Sequence, residues 1–181
     1  RDSEQMEGLF AATPPLEAKR SLIALASCQR GLPNNKQKKL GFIDIRKAYF
    51  HAKAKRLVYV QLPEEFCEAG EFGTVCGRLN YSLYGTRDAA NNWEECYTEA
   101  LVKIGFKRGL ASPCVFYHPI RGISTVVHGD DFTALGDEDD LAWLIDRLSD
   151  RYELVVKAIL GPDDSDDKTV RVLNHIVSWT S

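Results

Sequence analysis

The order of predicted strands and helices constrains this chain more than any other feature. A strand, helix, strand, strand, helix, strand order is typical of an α+β, ferredoxin-like sheet with helices on one face. In that topology the first strand and the central hairpin are neighbours, so acids that are distant in sequence should meet there. The elements come from apolar periodicity and turn residues, and they span 40–45, 87–105, 123–127, 132–135, the segment after Asp137, and 152–159.

Further elements flank this core. We predict a helix after Thr13-Pro14-Pro15, because proline is compatible with the first turn of a helix and Ala18, Leu22, Leu25 and Ala26 fall on one face. Alternation of apolar and polar residues indicates a half-buried strand at 57–62. Trp93 lies on the apolar face of the 87–105 helix. Three more extended segments are predicted at 75–84, 114–118 and 170–179.

The bulk composition indicates one globular domain. The chain has 181 residues, of which 44% are hydrophobic and 27% charged, and it has no apolar run near the roughly 20 residues of a membrane span. We divide the domain into a helix and basic loop at 1–40, a core at 41–160 with an insertion at 46–86, and an acidic loop and final strand at 161–181. The start at Arg1 and the absence of a signal peptide indicate a non-secreted piece of a longer polypeptide. The five cysteines form no C-x-x-C pair and are predicted to be free thiols.

Charge is unevenly distributed along the chain. The net charge is −3, but eight basic residues and one acid between 36 and 56 give that window a local charge of +7. Such a window is typical either of a track for a polyanion or of a solvated lysine-rich loop. As candidate nucleic-acid contacts we name Lys36, Lys38, Lys39, Lys47, Lys53, Lys55 and Arg56.

Three aspartates form the candidate catalytic site. Asp44 lies between apolar residues in a predicted buried strand, where an unpaired carboxylate is rare. Asp130 and Asp131 lie at a hairpin turn, where aspartate is common without any catalytic role. Together the three could hold two Mg²⁺ ions (or Mn²⁺) for phosphoryl transfer, with the carbonyl of Ile45 as a further ligand.

Several segments resemble the reverse transcriptases of copia-type LTR retrotransposons. The sequence FIDIRKAYFH at 42–51 resembles their first catalytic motif, and LVYVQLP at 57–63 resembles their VYM-x-QP segment. VCGRLNYSLYG at 75–85 is similar to their VC-x-L-x-x-SLYGL signature, and SPCVF at 112–116 to DPSLF. Residues 128–131, HGDD, take the place of YVDD. The segments keep the family's order over nearly the whole chain.

The resemblance implies an RNA-directed DNA polymerase domain of a Pol polyprotein, with a palm and a partial fingers insertion. Asp44, Asp130 and Asp131 would be its metal-binding catalytic residues. Tyr49 would lie under the sugar of the incoming nucleotide. The other implied contacts are Tyr84, Gly85 and Arg87 for the nucleotide and His128 and Gly129 for primer or template.

The implied partners are a template with its primer, deoxynucleoside triphosphates and the RNase H and integrase regions, in a cytoplasmic virus-like particle or the nucleus. Segments that grip the triphosphate in the family lie upstream of the position matching Phe10, so we expect the isolated chain to be weakly active or inactive. Two alternatives stay open. One is a remnant that binds nucleic acid without catalysis. The other is a nucleotide cyclase, because HGDDF at 128–132 superficially resembles the glycine-rich acidic hairpin of diguanylate cyclases.

Overall fold

The computed structural model describes residues 16–28, 38–172 and 174–180. Their contacts divide them into two compact units: residues 48–97 form the first unit, and residues 16–28, 38–47, 98–172 and 174–180 form the second. The division into a core with an insertion at 46–86 stays a prediction. No helix of the described residues is long and apolar enough to cross a membrane.

The second unit is built on one antiparallel sheet. Its strands are β1 (Lys39–Ile45), β4 (Lys107–Arg108), β5 (Val115–His118), β6 (Ile123–His128), β7 (Asp131–Gly136) and β8 (Leu154–Leu160). They are ordered β4-β5-β6-β7-β1-β8. Strand β1 pairs with β7 on one side and β8 on the other, so the first predicted strand and the acidic hairpin are neighbours, as the topology predicted. Helices α1 (Leu16–Cys28), α2 (Ala89–Lys103) and α3 (Glu138–Ser149) complete a mixed α/β architecture.

Helices α1 and α3 cover opposite faces of this sheet. Side chains of consecutive strand residues point to opposite faces. A Cβ on Gly41 would meet Leu141 of α3 at 3.7 Å, whereas Phe42 joins the cluster that contains Leu22 of α1. Helix α1 therefore lies outside the single helical face that the ferredoxin-like pattern predicts.

The buried face of α1 differs from its prediction. Leu22 and Ala26 are buried, but Leu25 is 49% exposed, so its predicted place on the buried face is wrong. At 100° per residue the buried arc runs through Leu22, Ala26, Lys19 and Ile23. Because the buried arc includes Lys19, Leu25 lies outside it and faces solvent.

Helix α3 shows the predicted burial. Leu141, Leu144 and Leu148 are at most 1% exposed, and the helix contacts β1, β7 and β8. Asp137 occupies the N-cap position with extended backbone, but its side chain makes no capping hydrogen bond.

The predicted final strand is two strands. Strands β9 (Thr169–Val172) and β10 (His175–Ser178) form an antiparallel hairpin, so one continuous strand at 170–179 is wrong. Asn174 in the turn has a φ of +64°, a conformation that asparagine tolerates better than most residues. The turn contains neither of the usual markers, glycine and proline, which explains why the apolar pattern alone suggested a single strand.

The first unit contains a small hairpin and the start of α2. Strands β2 (Tyr59–Gln61) and β3 (Cys76–Arg78) pair with each other and are shorter than the segments predicted there. The predicted alternation is present, because Val58, Val60 and Leu62 are half-buried between exposed neighbours. Trp93 is 1% exposed, as expected of a core residue. Two 3-10 helices lie at Ala48–His51 and Glu64–Phe66, and all five cysteines are free thiols.

Candidate carboxylate site

The sheet brings two of the three predicted catalytic acids directly opposite each other. Asp44 near the end of β1 is the register partner of Asp131 at the start of β7. The peptide N–H of Ile45 donates to the carbonyl of Asp130 at 2.9 Å, which extends the pairing into the turn. Gly129 and Asp130 form the two-residue turn between β6 and β7, and Gly129 has a φ of +63°. Glycine adopts that conformation without a steric penalty.

A lysine that the sequence reading missed completes the cluster. Lys157 Nζ lies 2.6 Å from Asp44 Oδ1 and 2.8 Å from Asp131 Oδ1. Lys157 has no register partner on β1, because the pairing jumps from Val156–Ile43 to Ala158–Phe42. Such a β-bulge re-aims a side chain, and bulges are common beside active sites. The available signal was a single charge in the otherwise apolar strand Leu154–Leu160, the same signal that identified Asp44.

The charges of the cluster do not balance. Three carboxylates face one close ammonium, and the pKa values reflect this excess. Partial desolvation of its carboxyl raises the pKa of Asp130, a backbone hydrogen bond opposes this effect, and the negative charges of Asp131 and Asp44 raise the pKa further. Burial lowers the pKa of Lys157, but its hydrogen bonds to Asp131 and Asp44 outweigh that effect and raise the pKa overall. The site therefore favours additional positive charge.

The carboxylate oxygens of Asp44 and Asp131 are suitable ligands for magnesium, but in this structure they contact the ammonium of Lys157. Carboxylate oxygens are the ligands that Mg²⁺ prefers, and Asp44 and Asp131 would supply them here. Within the described part of the chain, no three His, Cys, Asp or Glu side chains are gathered closely enough to hold a metal ion. The ammonium of Lys157 instead bridges the two facing carboxylates. A divalent ion between Asp44 and Asp131 would have to displace it.

The residues predicted to contact the nucleotide, Tyr49, Tyr84, Gly85 and Arg87, all belong to the first unit. Tyr49 and Tyr84 stack with ring centroids 4.3 Å apart, and Phe50 meets Tyr84 edge-on at 5.7 Å. Gly85 follows with a φ of +90°. The stacking joins two motifs of the resemblance into one aromatic cluster. The roles of Tyr49, Tyr84, Gly85 and Arg87 toward a nucleotide stay predictions.

His128 and Gly129 remain candidates for a primer or template contact. His128 is the register partner of Asp131 across the hairpin, so it borders the acids. Burial lowers the pKa of His128, and the nearby charge of Lys19 lowers it further. A neutral imidazole at this position could accept or donate a hydrogen bond without attracting phosphate by charge.

Several cationic groups of the basic window already bind oxygen atoms of the protein, so fewer of them are available to phosphate than the charge of +7 suggested. Lys39 is 4% exposed, and its ammonium contacts Asp166 at 2.7 Å, Asp163 at 2.9 Å and Glu138 at 3.2 Å. A buried, fully paired ammonium cannot reach a phosphate, so its assignment as a nucleic-acid contact is withdrawn. Lys38 donates to the Gly122 carbonyl.

The other members of the window differ among themselves. Lys55 pairs with Glu95 and Arg56 with Asp88 in the first unit, whereas Lys47 and Lys53 are exposed. Lys36 lies outside the described residues. The exposed lysines remain the better candidates for a phosphate contact.

Comparison with known proteins agrees with the motifs. The family model described as reverse transcriptase (RNA-dependent DNA polymerase) matches residues 3–140, which is most of the chain. The chain belongs to this family, and the prediction of a copia-type reverse transcriptase domain is confirmed. A curated relative, the "Retrovirus-related Pol polyprotein from transposon TNT 1-94" of Nicotiana tabacum, is 27% identical over 139 residues. The match covers 72% of this chain and 10% of the relative.

Proposed function

We propose that the second unit is the palm of an RNA-directed DNA polymerase, and that Asp44, Asp130 and Asp131 form its nucleotidyl-transfer site. The observation that carries the proposal is the pairing of Asp44 with Asp131 across β1 and β7, where the ammonium of Lys157 contacts both carboxylates. The strand order β6-β7-β1-β8 supports the palm assignment, because it corresponds to the βαββαβ arrangement.

The acids would hold divalent metal at the end of the sheet. Asp44 and Asp131 would provide facing carboxylates, and Asp130 would add charge from the hairpin turn. When bound, Mg²⁺ would neutralise developing charge on the phosphates, which is the main catalytic requirement of phosphoryl transfer. The Ile45 carbonyl as a further ligand remains part of this proposal.

Lys157 would act as a counterion of the metal-free site. Its ammonium screens the repulsion between Asp44 and Asp131, which would otherwise destabilise the fold. Metal binding and the Lys157 ion pairs would then be mutually exclusive. Deoxynucleoside triphosphates and a primed template are the substrates that this function requires.

The proposal is tested by metal-dependent nucleotide binding. Titration of a deoxynucleoside triphosphate with Mg²⁺ should give heat that is lost without metal and in Asp44→Asn or Asp130→Asn. Asp150→Asn is the matched control, because Asp150 is an exposed acid at the end of α3. Primer extension on a poly-rA template, with flanking reverse transcriptase segments restored, should require Asp44 equally.

A remnant that binds nucleic acid without catalysis is the second candidate. The Lys157 ion pairs favour it, since a site that never binds metal still needs a counterion. In that case binding of an RNA–DNA hybrid would fall with salt and ignore Asp130→Asn, and nucleotide binding would not respond to Mg²⁺. The family assignment gives no support to the nucleotide cyclase alternative.

A further inference from the structure

A pocket lies on the α1 face of the sheet beside the carboxylates. Its volume is about 270 Å³, and α1, β1, β7 and the β9–β10 hairpin contribute its walls. Phe42 and Thr133, which are register partners, form its floor. They lie two residues from Asp44 and Asp131 on the same strands, so all four side chains share one face of the sheet. Every lining residue belongs to the second unit.

The pocket is lined by the buried ammonium of Lys19. Lys19 is 9% exposed, and its Nζ is buried and has no hydrogen-bond partner among the described residues. Leaving an ammonium buried and unpaired is costly, and buried charges are usually paired. Burial lowers the pKa of Lys19, which Asp131 only partly offsets. An anion in the pocket would supply the missing partner.

The rest of the lining defines the remaining chemistry. Arg20 and His175 are exposed lining residues, which adds basic groups on the open side. The other walls are apolar, from Ile23, Phe42, Val172 and Val177, and none of the described residues that line the pocket is acidic. A volume near the lower end of the range for small-molecule sites suits a small organic molecule. The lining therefore suits a small anion that carries an aromatic or aliphatic body.

We propose that this pocket, the α1 pocket, binds a small organic anion whose acidic group pairs with Lys19 and whose apolar body lies against Phe42. The ligand class is an aryl or alkyl carboxylate, sulfonate or phosphate. The pocket is separate from the proposed metal site and does not depend on the proposed polymerase function. Because Lys19 is electrostatically coupled to Asp131 and His128, an occupant would also alter the field at the carboxylates.

The test uses two dyes that differ only in the presence of an anionic sulfonate group: anilinonaphthalene sulfonate and the neutral N-phenyl-naphthylamine. Fluorescence and calorimetric titration of the 181-residue chain should show one sulfonate bound per chain. Lys19→Met, which removes the charge and keeps the length, should weaken sulfonate binding about tenfold or more. The same change should leave the neutral dye within about twofold or strengthen its binding.

Two further variants separate the pocket from other surfaces. Val177→Trp should weaken both dyes, because the larger side chain would fill the pocket. Lys107→Met should change neither, because Lys107 is exposed on β4 at the far edge of the sheet. Lys19→Met should melt at a higher temperature than the native chain, since it removes a buried ammonium that has no hydrogen-bond partner in the described part of the chain.

Three results would overturn the proposal. One is native and Lys19→Met chains binding the sulfonate equally. Another is sulfonate binding to the native chain at many sites, which would indicate general exposed apolar surface. The third is no sulfonate binding by the native chain at all.

Discussion

The ammonium of Lys157 partly neutralises the carboxylate cluster by contacting both Asp44 and Asp131. It is 36% exposed and contacts two acids that are themselves partly buried. Because it lies between them, its ammonium should compete with any divalent ion for the same oxygen atoms. Competition of this kind predicts that removing the lysine improves metal binding, although it removes a favourable contact from the metal-free protein.

We therefore expect Lys157→Met to bind Mn²⁺ about tenfold more tightly than the native chain, as measured by calorimetry. Without metal and at low salt, the same variant should lose less than about 1 kcal/mol of unfolding free energy, because the pair is partly exposed. Lys103→Met, at an exposed position on α2, is the control. Unchanged or weaker Mn²⁺ binding by Lys157→Met would show that the lysine does not compete with metal.

Unlike Lys157, Lys39 is buried, and its ammonium forms ion pairs with three acids. Asp166 is its most buried partner, with a side chain 7% exposed, whereas Asp163 is 60% exposed. We expect Asp166→Asn to cost about 2 kcal/mol in urea unfolding, because it removes one partner of a buried ion pair. Asp163→Asn should cost less than about 1 kcal/mol, since solvent screens that pair. Equal costs would mean that burial does not set the strength of these pairs.

The Lys39 cluster also predicts a dependence on pH. Burial lowers the pKa of Lys39, but the hydrogen bonds that its ammonium donates to Asp166, Asp163 and Glu138 outweigh this effect and raise the pKa above its ordinary value of 10.5. A raised lysine pKa stabilises the fold fully below the unfolded value and loses that contribution as the pH rises through the folded value. Lys39→Met should therefore be destabilised near pH 8, and the gap to the native chain should narrow above roughly pH 10.5. Urea midpoints across that range measure the gap, and a constant gap would contradict the prediction.

At the scale of elements, the end of α2 depends on one glycine. Gly105 has a φ of +103°, and a Cβ there would lie 2.8 Å from Nε2 of His118. His118 is 5% exposed, and its Nε2 lies 3.1 Å from the Ile104 carbonyl. The glycine is thus needed both for its backbone conformation and for the space that the imidazole occupies.

Gly105→Ala should cost about 3 kcal/mol of unfolding free energy, which combines backbone strain with displacement of His118. Gly70→Ala is a matched control, because Gly70 has a φ of +89° but nothing within 4 Å of a Cβ. It should cost only about 1 kcal/mol. If both variants lose the same amount in urea unfolding, the contact with His118 contributes nothing.

Elements with local signals could be predicted from the sequence, and those that depend on distant contacts could not. The convergence of Asp44 and Asp131 was predictable, because helix and strand order places β1 beside β7. Lys157 was missed because a bulge interrupts the period-two pattern that predicts side-chain direction. Lys39 was assigned to a nucleic-acid surface because its partner Asp166 lies 127 residues away, beyond any local pattern.

At the scale of the whole chain, the distribution of charge should govern nucleic-acid binding. The net charge is −3, so any contact with a polyanion must come from local groups that are free to reach it. Of the predicted basic residues, Lys38, Lys39, Lys55 and Arg56 already bind carbonyl or carboxylate oxygens. Binding should therefore release far fewer counterions than the +7 charge of the window implies.

Exposed lysines should account for what salt dependence remains. Lys47→Met and Lys53→Met should each reduce the slope of log K against log salt for an RNA–DNA hybrid by about one, as measured by fluorescence anisotropy. Lys38→Met should leave the slope unchanged, because its ammonium already donates to the Gly122 carbonyl. A loss of slope in Lys38→Met as large as in Lys53→Met would mean that phosphate competes successfully with these internal partners. The whole basic window would then act as one track, as its sequence suggested.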